Sequence, residues 1–170
     1  MKPEILIGDL VALPFRVGAV VNAANEDLAA GGGVCGAVFR AAGSGLQSAC
    51  DKVAPCPTGE ARITPAFNIN AEHIIHAVGP KYRDGSAAER ALLASAYTSA
   101  LQLADDAGLE SIAFPAISTG IYGFPPDEAA SVVHVAISAF KPTNLKRCLL
   151  VYRSEKSAAP ARSAAAVARQ

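Results

Sequence analysis

The fold is decided by residues 20–43, which read VVNAANEDLAAGGGVCGAVFRAAG. This stretch begins as a short apolar strand, turns at Asn-Ala-Ala-Asn, passes three consecutive glycines and then repeats apolar residues at helical spacing. We therefore predict a helix that begins near Cys35 and stops before Gly43 or slightly later. A glycine-rich turn at a helix N-terminus brings backbone N–H groups and the positive end of the helix dipole close to an anion. The turn over residues 31–34 therefore fits a diphosphate.

Outside this stretch, short apolar strands alternate with helices. Strands are predicted at Ile5–Ile7, Ala19–Val21, Ala61–Phe67, His73–Val78, Ser111–Pro115 and Leu149–Tyr152, and further helices at Ala87–Ala107 and Glu128–Phe140. The first two strands are expected to be buried on both faces. This alternation predicts an α/β sandwich, formed by residues 1–153, with a ligand site where the loops after the strands gather. Residues 154–170 fit either a last helix or a disordered tail.

Two other loops carry unusual chemistry. Gly8-Asp9-Leu10 follows the first strand, and residues 118–123, which read STGIYG, follow the strand that ends at Pro115. The second loop offers N–H groups, two hydroxyls and an aromatic ring, which suit a phosphate and a sugar. Because no Lys follows the glycines and no GxGxxG occurs, a nucleoside triphosphatase and a Rossmann dehydrogenase are disfavoured. For either glycine-rich loop alone, an ordinary turn is the plain alternative.

The composition of the chain argues against several classes of protein. The chain has 170 residues, with 15 Lys plus Arg balanced by 15 Asp plus Glu, so one domain is expected and no overall field attracts nucleic acid or a membrane. The four cysteines form no CxxC pair and have no His at metal-ligand spacing, which argues against zinc and a disulfide framework. Without a signal-peptide pattern or a long apolar run, we expect a cytoplasmic protein.

Several motifs in order resemble the macrodomain family, in particular its MacroD-like branch, and are similar to bacterial O-acetyl-ADP-ribose deacetylases. The resemblance runs from about Ile5 to Tyr152. The motifs that carry it are Gly8-Asp9-Leu10, Asn22-Ala23-Ala24-Asn25, Gly31-Gly32-Gly33-Val34-Cys35-Gly36-Ala37, Cys56-Pro57-Thr58-Gly59-Glu60-Ala61, His76-Ala77-Val78-Gly79-Pro80 and Phe114-Pro115-Ala116-Ile117-Ser118-Thr119-Gly120-Ile121-Tyr122-Gly123. Separate motifs at compatible spacing are far more specific than one glycine loop.

The resemblance implies a three-layer α/β/α sandwich around a mixed, mostly parallel sheet. It further implies that ADP-ribose binds in a cleft at the crest of the sheet. The implied activity is hydrolysis of O-acetyl-ADP-ribose or of mono-ADP-ribosyl esters on Asp and Glu side chains of proteins. No metal and no redox cofactor is implied, and we expect a monomer.

The resemblance also implies roles for individual residues. Asp9 accepts a hydrogen bond from the adenine amino group, with Leu10 at the same end, although Asp9 also suits a plain turn. Asn25 holds the distal ribose hydroxyls and positions a water, while Asn22 braces the loop. Tyr152 borders the adenine or only packs at a strand end. The diphosphate and distal ribose lie between Gly31, Gly32, Gly33, Val34 and Cys35 on one side and Ser118, Thr119, Gly120, Ile121 and Tyr122 on the other.

One position departs from the pattern. MacroD-like proteins have an Asp ten residues after the last Asn of the Asn-Ala-Ala-Asn motif, and this Asp is thought to activate water; here the residue is Cys35. A thiol has an ordinary pKa near ~8.5 and is mostly protonated at neutral pH, although a helix N-terminus lowers that pKa. Cys35 is therefore either a weak catalytic group or, as we favour, a small residue that fills space beside the ligand.

Three functions remain open at this point. The first is a hydrolase of ADP-ribose conjugates that is slowed by Cys35. The second is a non-catalytic reader of ADP-ribose. The third, RNA binding, has no basic patch interleaved with aromatic residues to support it. His73, His76 and His134 have no partner at a telling spacing, so we interpret all three as structural.

Overall fold

The computed structural model describes residues 1–168. These residues form six strands and five helices. The strands are β1 (Pro3–Ile7), β2 (Val17–Ala23), β3 (Ala61–Pro65), β4 (Ala71–Ala77), β5 (Ser111–Phe114) and β6 (Arg147–Tyr152). The helices are α1 (Gly33–Ala42), α2 (Leu46–Asp51), α3 (Ala87–Asp106), α4 (Pro126–Ala139) and α5 (Glu155–Val167). Their order along the chain is β1-β2-α1-α2-β3-β4-α3-β5-α4-β6-α5.

The six strands form one mixed sheet in the order β1-β6-β5-β2-β4-β3. Every neighbouring pair is parallel except β3 and β4, which run antiparallel at one edge. Because β1, β2, β5 and β6 are parallel, the loops that follow them leave the sheet at the same end. The prediction of an α/β sandwich with its loops gathered along one edge is confirmed.

Two apolar cores cover the two faces of the sheet. Val20 of β2 points into the core that includes α1 and α2, whereas its neighbour Val21 points into the core that includes α3 and α4. Residues that alternate along a strand reach opposite faces, so a central strand buried on both sides is a continuous apolar run. The three-layer α/β/α arrangement implied by the resemblance is therefore correct.

The helix α3 is fixed by polar groups at its start. The Ser86 hydroxyl accepts from the N–H of Glu89 at 3.2 Å, which is the usual way in which a serine caps a helix. The Glu89 carboxylate, itself 8% exposed, accepts in turn from the N–H groups of Arg83 at 2.7 Å and Gly85 at 2.9 Å. These contacts also hold the loop between β4 and α3 in place.

The structure differs from the sequence-based expectations at both ends of the chain and after α1. The expectation that the first strand is buried on both faces is wrong, because β1 is an edge strand whose residues are all half-buried or exposed. The short helix α2 was not predicted, since six residues are too few for a clear helical period. Of the alternatives for residues 154–170, the structure has the helix α5, which contacts α4, β1 and β6. Residues 169 and 170 lie outside the described part.

Candidate functional site

A cleft with two chambers opens along the edge where β1, β2, β5 and β6 end. We call them the Asn25 chamber, of about 200 Å³, and the Asp9 chamber, of about 340 Å³. The Asn25 chamber is lined mainly by residues 23–25, 31–35 and 116–122, together with Gly79. The Asp9 chamber is lined by residues 8–11 and 151–153 and by parts of the same two loops. Both chambers share Gly33, Val34, Ala116 and Gly120, which form the neck between them.

One side of the neck is the N-terminus of α1. Gly33 is the first helical residue and has a φ of 57°, a left-handed conformation that favours glycine. The first backbone bond back along the helix is donated by Gly36 to the Gly32 carbonyl at 3.2 Å. The N–H groups of residues 33–35 consequently have no helical partner, and no acidic residue occupies the first turn. This end of the helix can receive an anion.

The other side of the neck is the loop after β5. Ser118 has a φ of 67°, which is uncommon for a residue with a side chain, and it is buried. Its carbonyl accepts from the N–H of Phe124 at 2.9 Å, which closes the loop. Ser118 lines the Asn25 chamber, and its buried hydroxyl has no hydrogen-bond partner among the described residues. A strained residue with an unpaired buried hydroxyl is characteristic of a binding site.

Asn25 holds its own loop together. Its Nδ2 donates to the Ala29 carbonyl at 2.8 Å, and its Oδ1 accepts from the Ala29 N–H at 3.0 Å. The amide is half-buried and lines the chamber. Since an amide has two N–H bonds and two acceptor positions, one of each is left after these contacts. Asn25 therefore has the capacity to contact a ligand while bracing the loop.

Cys35 lies on the floor of the Asn25 chamber and is 7% exposed. Its Sγ donates to the Ala29 carbonyl at 3.5 Å and accepts from Asn22 Nδ2 at 3.8 Å. Burial raises the pKa of the Cys35 thiol, despite the opposing hydrogen bonds from Asn22 and Gly31. The thiol is thus neutral at physiological pH, and the helix N-terminus does not generate a thiolate there.

Tyr122 and Ile121 close the outer side of the Asn25 chamber. Burial raises the pKa of the half-buried Tyr122 phenol, so this group is a neutral hydrogen-bond donor. The Lys81 ammonium lies 5.5 Å from the centroid of the Tyr122 ring, within the range of a cation–π contact. Ile121 is 88% exposed at the tip of the loop, where it faces Gly32 across the chamber.

In the Asp9 chamber, Asp9 serves both as a turn residue and as a charged group of the site. Its Oδ1 accepts from the Val11 N–H at 3.2 Å, and its Oδ2 pairs with Arg153 Nη1 at 3.0 Å. Leu10 is buried beside it, and Tyr152 lines the chamber while packing against the core. Both readings of Asp9 and Tyr152 from the sequence are therefore compatible with their positions.

Sequence reasoning missed three contributors to the site. Arg153 was overlooked because a lone basic residue after a strand carries no pattern. Gly79 was quoted as part of a motif, but its contact with the loop after β5 joins parts of the chain that are distant in sequence. Asn22 was expected to brace the loop, yet it is the buried, next-to-last residue of β2. The signal for this role in the sequence was a polar residue inside an otherwise apolar strand.

The structure gives no sign of a metal site or a membrane span in the part of the chain that it describes. No group of three or more His, Cys, Asp or Glu side chains in residues 1–168 is arranged to hold a metal ion. All four cysteines are free and buried. No helix of the described chain has both the length and the apolar character needed to cross a membrane.

An α/β/α sandwich with a cleft between a glycine-rich helix N-terminus and a second phosphate-type loop defines the class of protein. The family model described as "Macro domain" matches residues 21–133, and the chain belongs to this family. It is 45% identical over 165 residues to an O-acetyl-ADP-ribose deacetylase of Klebsiella pneumoniae, covering 94% of this chain and 93% of that protein. It is 51% identical over 141 residues to an O-acetyl-ADP-ribose deacetylase of Escherichia fergusonii, covering 81% and 78%.

Solved structures agree with this assignment. The Oceanobacillus iheyensis macrodomain with ADP is 36% identical and superposes with a TM-score of 0.88, covering 97% of this chain and 90% of that one. A mutant of the same macrodomain with ADPR is 34% identical, with a TM-score of 0.90 and coverage of 97% and 92%. The family assignment made from the motifs is confirmed.

Proposed function

We propose that this protein binds ADP-ribose in the two-chamber cleft and slowly hydrolyses O-acetyl-ADP-ribose or mono-ADP-ribosyl esters on Asp and Glu side chains. The observation that carries the proposal is the neck, where the free N–H groups of the α1 N-terminus face the loop of Ser118. A diphosphate is the anion that such a pair of loops suits. Relatives named O-acetyl-ADP-ribose deacetylase and macrodomain structures with ADP and ADPR support the same ligand.

In the proposed complex the adenosine occupies the Asp9 chamber. The adenine amino group donates to Asp9, which exchanges part of its exposed ion pair with Arg153 for this bond. Exposed ion pairs contribute little, about 0 to 1 kcal/mol, so the exchange is inexpensive. Leu10 and Tyr152 provide the apolar surface against the base.

The distal ribose and the ester occupy the Asn25 chamber. Asn25 uses its remaining N–H and acceptor position for a ribose hydroxyl and a water, while Tyr122 closes the chamber. Cys35 is a neutral thiol and does not remove the proton of this water. The charged diphosphate then helps Asn25 to orient the water, and positioning alone lowers a barrier by several kcal/mol, up to ~7 to 11 in ideal cases.

A non-catalytic reader is the second candidate function, and the observation that favours it is the neutral, buried Cys35. Losing a proton acceptor typically lowers a rate by about 10² to 10⁴. A reader binds ADP-ribose tightly, releases no product and shows no rise in turnover when an acid is placed at position 35.

We also propose that the protein is a cytoplasmic monomer. Cell fractionation tests the location, and sedimentation tests the oligomeric state.

Asn25→Ala tests the proposed function. We expect ADP-ribose affinity to fall about tenfold, because one or two hydrogen bonds are lost, and turnover of O-acetyl-ADP-ribose to disappear. Affinity is measured by calorimetry, and turnover by the release of acetate and ADP-ribose. The matched control is Asn70→Ala, an exposed amide before β4, at the end of the sheet away from the cleft.

Because Asn25 also braces its loop, thermal unfolding of Asn25→Ala is measured beside the binding. Asn25→Asp keeps the acceptor for the Ala29 N–H but loses both the donor to the Ala29 carbonyl and the N–H left for a ligand, so its thermal unfolding is measured as well. If the natural protein binds ADP-ribose and releases no product, the reader function replaces the hydrolase. Absence of ADP-ribose binding in the natural protein would overturn both.

A further inference from the structure

A row of polar side chains runs from the cleft into the interior of the sheet. It starts at Cys35 on the floor of the Asn25 chamber, continues through Asn22 on β2 and His76 on β4, and ends at Thr64 on β3. The strand register places Asn22 directly beside His76. Asn22 is 1% exposed and His76 is 0% exposed, so neither contacts solvent.

His76 fixes the direction of the Asn22 amide. Burial lowers the pKa of His76 to about 4, so the ring is neutral and carries one N–H. The Thr64 hydroxyl donates to the Pro65 carbonyl at 3.2 Å, and it therefore accepts from His76 Nε2 at 2.9 Å. The ring proton is then on Nε2, and Nδ1 accepts from Asn22 Nδ2 at 3.1 Å.

The fixed amide directs an N–H toward position 35. The NH₂ group of Asn22 has two hydrogens, of which one is held by His76 and the other faces Cys35 Sγ at 3.8 Å. Sulfur is a weak acceptor, so this donor is poorly matched to the residue that it meets. A carboxylate oxygen would match it, since hydrogen bonds to a charged acceptor are about twice as strong as neutral ones.

The Asn22 amide is only partly satisfied at this buried place. Asn22 follows two apolar residues of β2, Val20 and Val21. Its Oδ1 is buried without a partner among the described residues. An unpaired buried oxygen destabilises a fold, and the bond from Nδ2 to the buried His76 Nδ1 offsets part of that loss. The hydrogen of this amide that His76 does not hold is directed at Cys35, on the neighbouring chamber.

We infer that Asn22, oriented by His76, is the positioning residue for the side chain at position 35. It holds that side chain at the chamber floor and presents an N–H that favours an acceptor there. Asn22 touches neither the ligand nor the reacting water, so it acts only through residue 35. The catalytic part of this inference rests on the proposed function, but the placement of residue 35 does not.

The first test is a cycle of variants measured for turnover of O-acetyl-ADP-ribose. We expect Cys35→Asp alone to raise turnover. In the double variant with Asn22→Leu the rise should be about tenfold smaller, because residues in contact commonly couple. Asn22→Ala, which cannot overfill the space, should act like Asn22→Leu. Thr64→Ser is the control: it removes a methyl group from the same row but keeps the hydroxyl that accepts from His76 Nε2, so the donor to position 35 stays in place. A gain of equal size in the natural, Asn22→Leu and Asn22→Ala backgrounds overturns the inference.

The second test needs no enzyme activity. Cys50, Cys56 and Cys148 are fully buried, so Cys35 is the thiol that a small alkylating reagent reaches first, as peptide mapping can verify. Asn22→Leu should move the pH midpoint of Cys35 alkylation upward, because the hydrogen bond from Asn22 lowers the pKa of this thiol. Tyr122, Cys50 and His76, the titratable groups around Cys35, are the same in both proteins.

Thr64→Ser, which keeps the hydroxyl that accepts from His76 Nε2, should leave that midpoint unchanged. An unchanged midpoint in Asn22→Leu, or an equal shift in both variants, shows that the Asn22 N–H does not position the side chain of residue 35. If the natural protein and Cys35→Asp both lack turnover, the proposed hydrolysis fails. The alkylation result then still decides whether Asn22 positions residue 35.

Discussion

Replacing Cys35 by Asp is expected to raise the turnover of O-acetyl-ADP-ribose by about two orders of magnitude, and by up to about 10⁴. The thiol is neutral because burial raises its pKa, and its hydrogen is given to the Ala29 carbonyl. A carboxylate at the same place is ionised at neutral pH and can remove a proton from the water. Turnover is measured with saturating substrate, and ADP-ribose affinity is measured in parallel.

The control is Cys35→Asn, which has nearly the shape of Asp but cannot act as a base. It should leave turnover within a few-fold of the natural protein. We expect Cys35→Asp to weaken ADP-ribose binding slightly, because a second negative charge then lies near the diphosphate. A flat turnover in Cys35→Asp with intact binding would show that the missing acid is not what limits the reaction, and the reader function would gain support.

Gly79→Ala is expected to reduce ADP-ribose affinity by roughly tenfold to a hundredfold. A Cβ at Gly79 would lie 2.5 Å from Ile117 Cγ2 and closer still to the Ser118 hydroxyl. Since Ser118 already has a φ of 67°, the loop has little freedom to yield without moving its N–H groups away from the ligand. Overpacking of this kind typically costs about 1 to 3 kcal/mol. Calorimetric titration with ADP-ribose measures the loss.

Gly120→Ala is the matched control for this variant. Gly120 lines the same neck, has an ordinary φ and has no atom within 4 Å of the place of its Cβ. Its backbone N–H is kept, so affinity should stay within about threefold of the natural protein. An equal loss in both variants would mean that any added methyl blocks the cleft, and the close approach of Gly79 to Ser118 would then have no particular importance.

The local patterns of the sequence were sufficient for the layers of the fold and for the three loops of the cleft. An apolar strand such as β2, followed by a glycine turn and a helical period, is determined by neighbours in sequence. The position of β1 was predicted wrongly for a physical reason: a run of three aliphatic residues has the same composition in a central strand as in an edge strand covered by α5 on one side. Only the strand order decides between the two.

The missing parts of the site depend on contacts between residues that are far apart in the chain. The row from Cys35 through Asn22 to His76 requires the register of β2 against β4, which no local pattern specifies. The ion pair of Asp9 with Arg153 likewise joins the ends of β1 and β6. Such contacts are determined by the order and register of the strands in the assembled sheet.

The neck also makes the cleft a natural target for linked fragments. Because both chambers share the neck at Gly33, Val34, Ala116 and Gly120, a short bridge of atoms placed there would join a fragment in the Asp9 chamber to one in the Asn25 chamber. Two weak fragments joined by such a bridge would bind with an effective concentration set by the length of the linker, which can strengthen affinity by about 10² to 10⁴. Comparing the affinity of a linked compound with the affinities of its two fragments would measure how much each chamber contributes to recognition.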